Sequence, residues 1–299
     1  RHLCPPIFGE EAARIRTEIG RYVLINSNYA TVNSIWGREN AVQACIQAGV
    51  LKPDDPASVQ RFDAALAWEE QNLADMKAFI SWAAREIKTH RVVLRPHPAE
   101  HPSAWDAFAA QTPGLLVRPH THHIPWILGA DLIVHTSCTT GLEAALLGRP
   151  VLNIERVVDP FGERITALIN HTVQTPEAAA ATVAPFLADA AGPLADRRSH
   201  DAVMAEYFPG YRDGGIAERI ADAMCEALVR NGAQLGQPVT WPNPRLYSPL
   251  PRTDVMKAKF TLSSAEVLHA ITIIRRYLGR KPKFTAAQID DSLFLFAPS

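Results

Sequence analysis

The amino-acid sequence predicts an α/β protein with a Rossmann-like parallel sheet flanked by helices, followed by an irregular and helical C-terminal tail. Between residues 92 and 154, short apolar runs alternate with helical segments at the spacing of βαβ units. This rhythm is absent farther along, where residues 236–252 contain five prolines and no hydrophobic periodicity. We therefore predict two domains, a Rossmann-like domain at 1–235 and a separate tail at 236–299.

The elements follow from local patterns. Residues 22–26, YVLIN, are a continuous apolar run typical of a buried strand, and residues 56–88 carry apolar side chains at the spacing of a long helix. Ser103 is the expected N-cap of a later helix. Further strands are predicted at 92–94, 115–117, 131–136 and 150–154, and further helices at 103–111, 123–130, 140–148, 175–191 and 215–230. In the tail, capping-box spacing predicts a helix over 264–279, and residues 284–296 predict a short helix and a strand.

Composition excludes several classes of function. The chain has 299 residues, 47% of them hydrophobic, and a formal net charge of −1, so we expect a substantial core and no nucleic-acid partner. We see no run of 18 apolar residues, and expect no membrane span. The four cysteines form no CxxC pair, which favours a reducing, cytoplasmic setting. Six histidines fall between residues 97 and 135, but not at HExxH spacing, so we expect neither a metal nor a cofactor.

The segment RPHP at 95–98 directly follows the predicted strand at 92–94. Proline gives no backbone donor to a sheet and fixes φ, so two prolines end the strand in a rigid corner. Because ligands bind at the carboxyl ends of strands in open α/β sheets, Arg95 and His97 are candidate ligand-binding residues. The alternative is a turn that carries two solvated polar side chains.

A second candidate segment is HTSCTTGLEAALLG at 135–148, where a strand leads into small polar residues, a glycine and a helix. The N–H groups and the dipole of a helix start suit a phosphate. Ser137, Thr139 and Thr140 add hydroxyls, and Gly141 would let the backbone approach a ligand closely. The segment has neither the GxxxxGK[ST] nor the GxGxxG pattern. The alternative is a well-capped helix without a ligand.

Weaker candidates surround these two segments. Glu143 could bond ribose hydroxyls, although an acidic residue also stabilises a helix start. His120, in the loop at 118–126, could close over a base or a phosphate, or be an ordinary loop residue. Asn26 and Asn28 follow the first strand and could face the same crevice, although asparagine commonly ends strands.

Together, LRPHP and the downstream HTSCTTGLEAALLGRPVLN resemble the donor-binding half of a GT-B glycosyltransferase. More narrowly, the chain is similar to bacterial capsule and lipopolysaccharide biosynthesis proteins, near Kdo transferases, sialyltransferases and teichoic-acid glycerophosphotransferases. The stretch RYVLINSNYATVN looks like the opening of their donor domain, and the resemblance covers roughly residues 20–155. It implies a metal-independent transferase that moves a sugar from a nucleotide-activated donor, with a CMP-linked acidic sugar favoured, to a bacterial surface glycan.

The resemblance also assigns roles by position. His97 would bond the donor phosphate, Pro98 would shape that corner, and Glu143 would meet the ribose. The phosphate or the carboxylate of the donor sugar would lie against three hydroxyl side chains, those of Ser137, Thr139 and Thr140. The sequence identifies no catalytic base; Asp159, Glu163 and Asp213 lie in loops that would face the cleft.

One departure from the family pattern matters. A GT-B enzyme has an acceptor domain before the donor domain, whereas only about twenty residues precede the first strand here. Either an N-terminal acceptor domain is missing from this chain, or the chain is a stand-alone donor module. The expected partners are a nucleotide-activated sugar and a glycan acceptor. The basic end of the 264–279 helix would touch an anionic acceptor or the inner-membrane surface, or simply be solvated.

Two other functions stay open on the same fold. A nucleotide-sugar epimerase would need catalytic carboxylates in the N-terminal half, which the sequence does not show. A non-catalytic nucleotide-sugar-binding module would need only the donor fold. A serine hydrolase is disfavoured, because the sequence has no GxSxG elbow and no evident acid to orient His135 beside Ser137.

Overall fold

The computed structural model describes residues 4–118, 121–156, 165–189, 192–195, 198–208, 210, 215–230, 269, 271–272, 284–290 and 293–298. The described residues from Phe8 to Glu206 form one compact unit, and residues 4–7 together with those from Tyr207 onward belong to a second. The predicted division at residue 235 lies outside the described residues and stays a prediction. Within the described part of the chain, no helix is long and apolar enough to cross a membrane.

The first unit is built on a six-stranded parallel sheet with strand order β3-β2-β1-β4-β5-β6. The strands are β1 Tyr22–Asn26, β2 Arg91–Arg95, β3 Leu115–Val117, β4 Leu132–His135, β5 Val151–Ile154 and β6 His171–Val173. This order is that of a doubly wound Rossmann-like sheet, which confirms the predicted fold class. The short sixth strand was not predicted.

Helices connect and cover these strands. They are α1 Cys4–Ile19, α2 Arg38–Gln47, α3 Pro56–Glu86, α4 Pro102–Ala110, α5 His123–Gly129, α6 Thr139–Leu146, α7 Ile165–Ile169, α8 Pro176–Asp189 and α9 Arg198–Tyr207. The predicted helices of this region agree with α3, α4, α5, α6 and α8 within two residues at each end. Four helices, α1, α2, α7 and α9, were not predicted.

The sheet has two faces with different roles. Against one face pack α3, α4 and α8, and the largest apolar cluster lies there, including Val23, Ile25, Met76, Phe79, Leu94, Trp105, Val134 and Val183. The opposite face carries α5 and α6. The approach of α5 to β1 is so close that a Cβ on Gly129 would lie 2.5 Å from the Tyr22 hydroxyl. The alternation of side chains along each strand therefore separates a wholly apolar face from one that also bears polar groups.

The cap of α4 differs from the prediction. The N-cap is His101, whose side chain accepts a hydrogen bond from the backbone N–H of Ser103, and Pro102 occupies the first turn. Proline is favoured at the first helical position because its fixed φ suits the helix and its missing N–H would have no acceptor there. Ser103 therefore lies inside the helix, and its predicted N-cap role is wrong.

The second unit contains α10 Ile216–Arg230, which agrees with the predicted helix at 215–230. It also contains an antiparallel hairpin of β7 Phe284–Asp290 and β8 Leu293–Pro298. The helix expected within 284–296 is wrong, because residues 284–290 and 293–298 both form strands. Of the helix predicted over 264–279, residues 269, 271 and 272 are described and helical, and the rest lies outside the described residues.

Candidate ligand-binding site at the carboxyl edge of the sheet

The strands of the sheet change from apolar to polar at their carboxyl ends. On the face covered by α5 and α6, Arg95 of β2 is in register with Asn26 of β1, which is in register with His135 of β4. His135 is in turn in register with Asn153 of β5. The chain continues from β1 and from β4 toward opposite sides of the sheet, and a crevice at such a switch point is where doubly wound proteins bind ligands.

A cavity of about 390 Å³ opens at this point. It is lined by nine of the residues that the sequence singled out, namely Asn26, Asn28, Arg95, His97, Pro98, Ser137, Thr139, Thr140 and Glu143. The structure therefore brings the segment after β1, the RPHP segment and the start of α6 into one pocket. His120 lies outside the described residues, and Gly141 is not part of the cavity lining.

The RPHP corner is held by a buried carboxylate that the sequence interpretation missed. Glu100, with 0% of its surface exposed, accepts hydrogen bonds from the Ser27 hydroxyl at 2.7 Å, the His97 N–H at 3.1 Å and the Trp105 indole N–H at 2.7 Å. It also accepts from the Tyr29 N–H at 3.1 Å. These bonds join the loop after β2 to the loop after β1, so the corner is a fixed part of the fold and not a solvated turn.

The ring orientation of His97 is set within the same corner. Its Nδ1 accepts a hydrogen bond from the backbone N–H of Ala99 at 3.1 Å. A neutral imidazole has one donor and one acceptor nitrogen, so the hydrogen is carried by Nε2. Because His97 lines the cavity, this arrangement suits donation of a neutral hydrogen bond to an anion. A hydrogen on Nδ1 would displace the bond from Ala99, so this corner fixes which ring nitrogen can donate.

The strand-to-helix turn after β4 is tightly bonded at Ser137. Its φ is +42°, a left-handed conformation that is uncommon for a residue other than glycine. Its N–H donates to the Asn153 side-chain oxygen at 2.8 Å, and its hydroxyl donates to the Glu155 carboxylate at 2.5 Å. Asn153 also donates to Glu155 at 2.9 Å. Ser137 therefore uses these groups to fix the turn, and the more exposed Thr139 lines the cavity beside it.

Beneath the turn lies His135, which is wholly buried. Its Nδ1 accepts from the Cys138 N–H at 3.1 Å, and its Nε2 lies 3.0 Å from the side-chain amide of Asn170. Burial lowers the pKa of His135 to about 3, so the ring is neutral and structural. It does not bond Ser137, which removes the geometry that a serine–histidine hydrolase would need.

Gly141 is required for a reason other than the predicted one. A Cβ at this position would lie 2.2 Å from His135 Nε2 and 2.8 Å from the Asn170 side-chain nitrogen. Glycine therefore lets α6 lie directly on the buried histidine. Gly141 faces the sheet and does not line the cavity, so the packing on His135, and not a ligand contact, accounts for glycine at this position.

The far side of the cavity carries a carboxylate that already has a partner. Glu143 of α6 is paired with His123 Nε2, and both side chains are half-buried. The His123 ring stacks on His122 at a centroid distance of 5.2 Å, and His122 stacks on Phe8 at 4.4 Å. Any bond from Glu143 to a ribose hydroxyl would have to share the carboxylate with His123.

Arg95 and Asn26 differ from the other polar residues of the site. Arg95 is 7% exposed, and burial lowers its pKa to about 10. Its Nη2 donates to the Thr121 carbonyl at 2.5 Å, and its guanidinium carbon lies 5.4 Å from the Trp126 ring centre. Arg95 Nε and Asn26 Nδ2 are both buried and have no hydrogen-bond partner among the described residues.

The structure does not describe the residues that the sequence offered as catalytic bases. Asp159, Glu163 and Asp213 lie outside the described residues, so no catalytic base is identified. Within the described ranges, no three His, Cys, Asp or Glu side chains are grouped as a metal site requires. Burial raises the pKa of the Cys138 thiol, which keeps this cavity residue protonated.

No protein-family model matches the chain, and no curated protein matches it. Among solved structures, the chain is similar to a wall teichoic acid polymerase, TagF, that was solved with CDPG, at 11% identity and a TM-score of 0.42. The similarity covers 75% of this chain and 47% of the polymerase, so the chain spans about half the length of that protein.

Proposed function

We propose that this chain is the donor-binding part of a glycosyltransferase of the GT-B type, and that the cavity binds a nucleotide-activated sugar. One observation supports the proposal above all. The two segments that resemble the family motifs, RPHP and the start of α6, lie on one cavity at the switch point of a doubly wound sheet. A pocket in this position, with donors converging from two loops and a helix start, suits the phosphate of a nucleotide.

In this proposal the phosphate lies between His97 and the start of α6. His97 donates from Nε2, because its Nδ1 is already bonded to the Ala99 N–H. The first N–H groups of a helix have no acceptor within the helix. The Gly141 N–H already donates to the Cys138 carbonyl at 2.9 Å, so the donors proposed for the phosphate are the N–H and hydroxyl of Thr139, the first residue of α6. These donors would also stabilise the charge that grows on the phosphate as the bond to the sugar breaks.

Ser137 takes a positioning role in this scheme. Its hydroxyl donates to Glu155, and its N–H donates to Asn153. These bonds hold the left-handed turn that aims the first turn of α6 at the cavity. Thr140 is placed similarly, since its hydroxyl lies 3.2 Å from the Cys138 sulfur at the N-cap.

The finer assignments rest on the sequence resemblance. A CMP-linked acidic sugar is the favoured donor, a bacterial surface glycan is the acceptor, and the reaction needs no metal because helix N–H groups, hydroxyls and His97 replace one. The protein would act in the cytoplasm, where nucleotide sugars are made. A base supplied by residues outside the described part, or by an acceptor domain, would activate the acceptor hydroxyl.

The test is calorimetry and thermal shift with CMP, CDP, UMP, UDP, GDP and dTDP against the wild-type chain and His97→Ala. We expect selective binding of cytidine nucleotides and a loss of about 10- to 100-fold in affinity in the variant, because a hydrogen bond to a charged group is removed. His101→Ala is the matched control, since this exposed histidine is in the same loop but outside the cavity lining. It should bind like the wild type.

Other outcomes would redirect or overturn the proposal. A preference for UDP or dTDP would favour another donor class or the epimerase. Binding of no nucleotide would contradict the proposal. Release of CMP from CMP-N-acetylneuraminate separates an enzyme from a binding module, because a module would bind this compound and leave it intact.

A further inference from the structure

We propose that Arg95 and Asn26 form a second anion subsite on the floor of the cavity, so that the ligand carries two anionic groups. The proposal rests on the proposed function, because it assumes that the first anion is the nucleotide phosphate at His97 and the start of α6. The second anion is a second phosphate or the carboxylate of the transferred sugar. These two sources present the same chemistry to the site, which is a pair of negatively charged oxygens.

The Arg95 guanidinium is buried and touches no carboxylate among the described residues. Arg95 is only 7% exposed, and its Nη2 donates a hydrogen bond to the Thr121 carbonyl. Within the described part of the chain, no carboxylate lies within 4.0 Å of the guanidinium, and its Nε has no hydrogen-bond partner. Glu11 acts on this cation only from beyond 4.0 Å, and burial outweighs it and lowers the pKa of Arg95. A bound anion would offset the cost of this burial.

The second residue of this subsite is Asn26. This residue is 4% exposed, lines the same cavity, and is the register partner of Arg95 on the adjacent strand. Register partners in a parallel sheet point to the same face, so the two side chains lie side by side. Asn26 Nδ2 is a donor with no partner among the described residues. Two neighbouring unsatisfied donors, one of them charged, select an acceptor that is an anion.

Arg95 and Asn26 lie apart from the position proposed for the nucleotide phosphate. Arg95 and Asn26 end β2 and β1, and Arg95 extends toward Thr121 and Trp126 below α5. The start of α6 follows β4, on the other side of β1. Both positions face one cavity of about 390 Å³, which is large enough for a small ligand that reaches both.

The neighbouring polar groups show that such donors are normally satisfied in this fold. Asn153 occupies the equivalent register position on β5 and bonds Ser137, Glu155 and Thr172. Glu100 accepts hydrogen bonds from five of the described residues. Arg95 and Asn26 stand out because they combine deep burial with an unused donor at the cavity.

The experiment measures binding of three probes, CMP, CDP and CMP-N-acetylneuraminate, by calorimetry. The variants are Arg95→Gln, which removes the charge, and Asn26→Asp, which keeps the shape and places a carboxylate beside the second anion. We expect each variant to weaken the favoured two-anion probe by about 10- to 100-fold and CMP by less than about 3-fold. The matched control is Arg91→Gln, at the exposed first residue of the same strand, which should change neither.

The probes also identify the source of the second anion. Preference for CDP over CMP in the wild type assigns a phosphate, and preference for CMP-N-acetylneuraminate assigns a carboxylate. Equal binding of CMP and both two-anion probes overturns the subsite, as does an equal loss for all three in the variants, while both results leave the proposed function standing. If no probe binds the wild type, the proposed function fails and the subsite with it. If thermal unfolding shows that Arg95→Gln does not fold, the isosteric Asn26→Asp decides.

Discussion

The two edges of the sheet both carry arginines, but they use them differently. At the amino edge, Asp131 before β4 bonds Arg16 of α1, with contacts of 2.9 and 3.1 Å, and lies 3.7 Å from Arg21. At the carboxyl edge, Arg95 lies buried without such a carboxylate among the described residues, beside an unsatisfied Asn26. A paired charge ties elements together, whereas in our proposal the unpartnered donors of Arg95 and Asn26 are satisfied by a ligand.

The carboxyl edge is nevertheless not loosely built. Glu100 fixes the loop after β2, and Asn153 with Glu155 fixes the turn after β4. The site therefore has two parts. In the support, formed by Glu100, Asn153 and Glu155, the polar groups are hydrogen-bonded, whereas in the lining Arg95 and Asn26 each keep a donor without a partner among the described residues. This division predicts that changes to the support act on stability, and that changes to the lining act on binding.

The largest expected effect is a loss of stability when Glu100, which holds the RPHP corner, is removed. Glu100→Ala should lower the free energy of unfolding by about 3 kcal/mol or more, because several buried donors lose their shared acceptor. Urea unfolding measures this loss. Glu86→Ala is the control, since that exposed carboxylate pairs with the adjacent Arg85 and should change stability by no more than about 0.5 kcal/mol. A mild effect of Glu100→Ala would mean that the corner does not depend on this residue.

The next effect concerns the packing of α6 on the sheet. Gly141→Ala should destabilise the protein by about 1–3 kcal/mol, because the new Cβ would overlap the buried His135 ring. Gly9→Ala in α1 is the matched control, since a Cβ there meets no atom within 4 Å. The control should be neutral or stabilising by up to about 1 kcal/mol, as alanine favours helix. Equal thermal stability of the two variants would contradict the packing described here.

A smaller effect depends on pH. The folded-state pKa of His135 is about 3, below the unfolded value of 6.5. Above pH 6.5 the ring is neutral in both states, and as pH falls toward 3 only the unfolded state gains the proton, so stability is lost by up to about 1.4 kcal/mol per pH unit. We expect wild type to lose about 2 kcal/mol more than His135→Gln between pH 7.5 and 5. Parallel unfolding curves for the two proteins would show that His135 is not buried neutral.

The smallest effect sharpens the contrast between the edges. Asp131→Asn should cost about 1 kcal/mol of stability, since its ion pairs are partly exposed, and should leave nucleotide affinity unchanged. Arg95→Gln should show the reverse pattern, with a change in affinity for a two-anion ligand. Calorimetry and urea unfolding on both variants give the comparison. A loss of ligand affinity in Asp131→Asn would remove the distinction between the edges.

The sequence predicted strands β1 to β5 and missed β6. YVLIN and LLV are wholly or mostly apolar runs bounded by polar residues, and they form β1 and β3 as predicted. The edge strand β6 has only three residues, one of them a histidine, and carries no apolar run. The helix α2 has weak amphipathic patterning. It packs through Val42 and Ile46 on a cluster that includes Phe62 of α3, and a local pattern does not contain such tertiary contacts.

The candidate site shows a similar division. Prolines and small polar residues at strand ends marked Arg95, His97 and the start of α6, because local chemistry distinguishes them. Glu100 follows the RPHP motif by two residues, yet its importance arises from donors as distant in sequence as Ser27. The pairing of Glu143 with His123 likewise joins two elements, α6 and α5. Contacts of this kind become visible only when the fold brings the loops together.

The most direct test of the central claim is a crystal structure of the chain with CMP bound. We predict that the phosphate occupies the carboxyl-edge cavity, with oxygens at about 3 Å from His97 Nε2 and from the Thr139 N–H. A phosphate bound elsewhere, or CMP held with its phosphate away from both groups, would contradict the account.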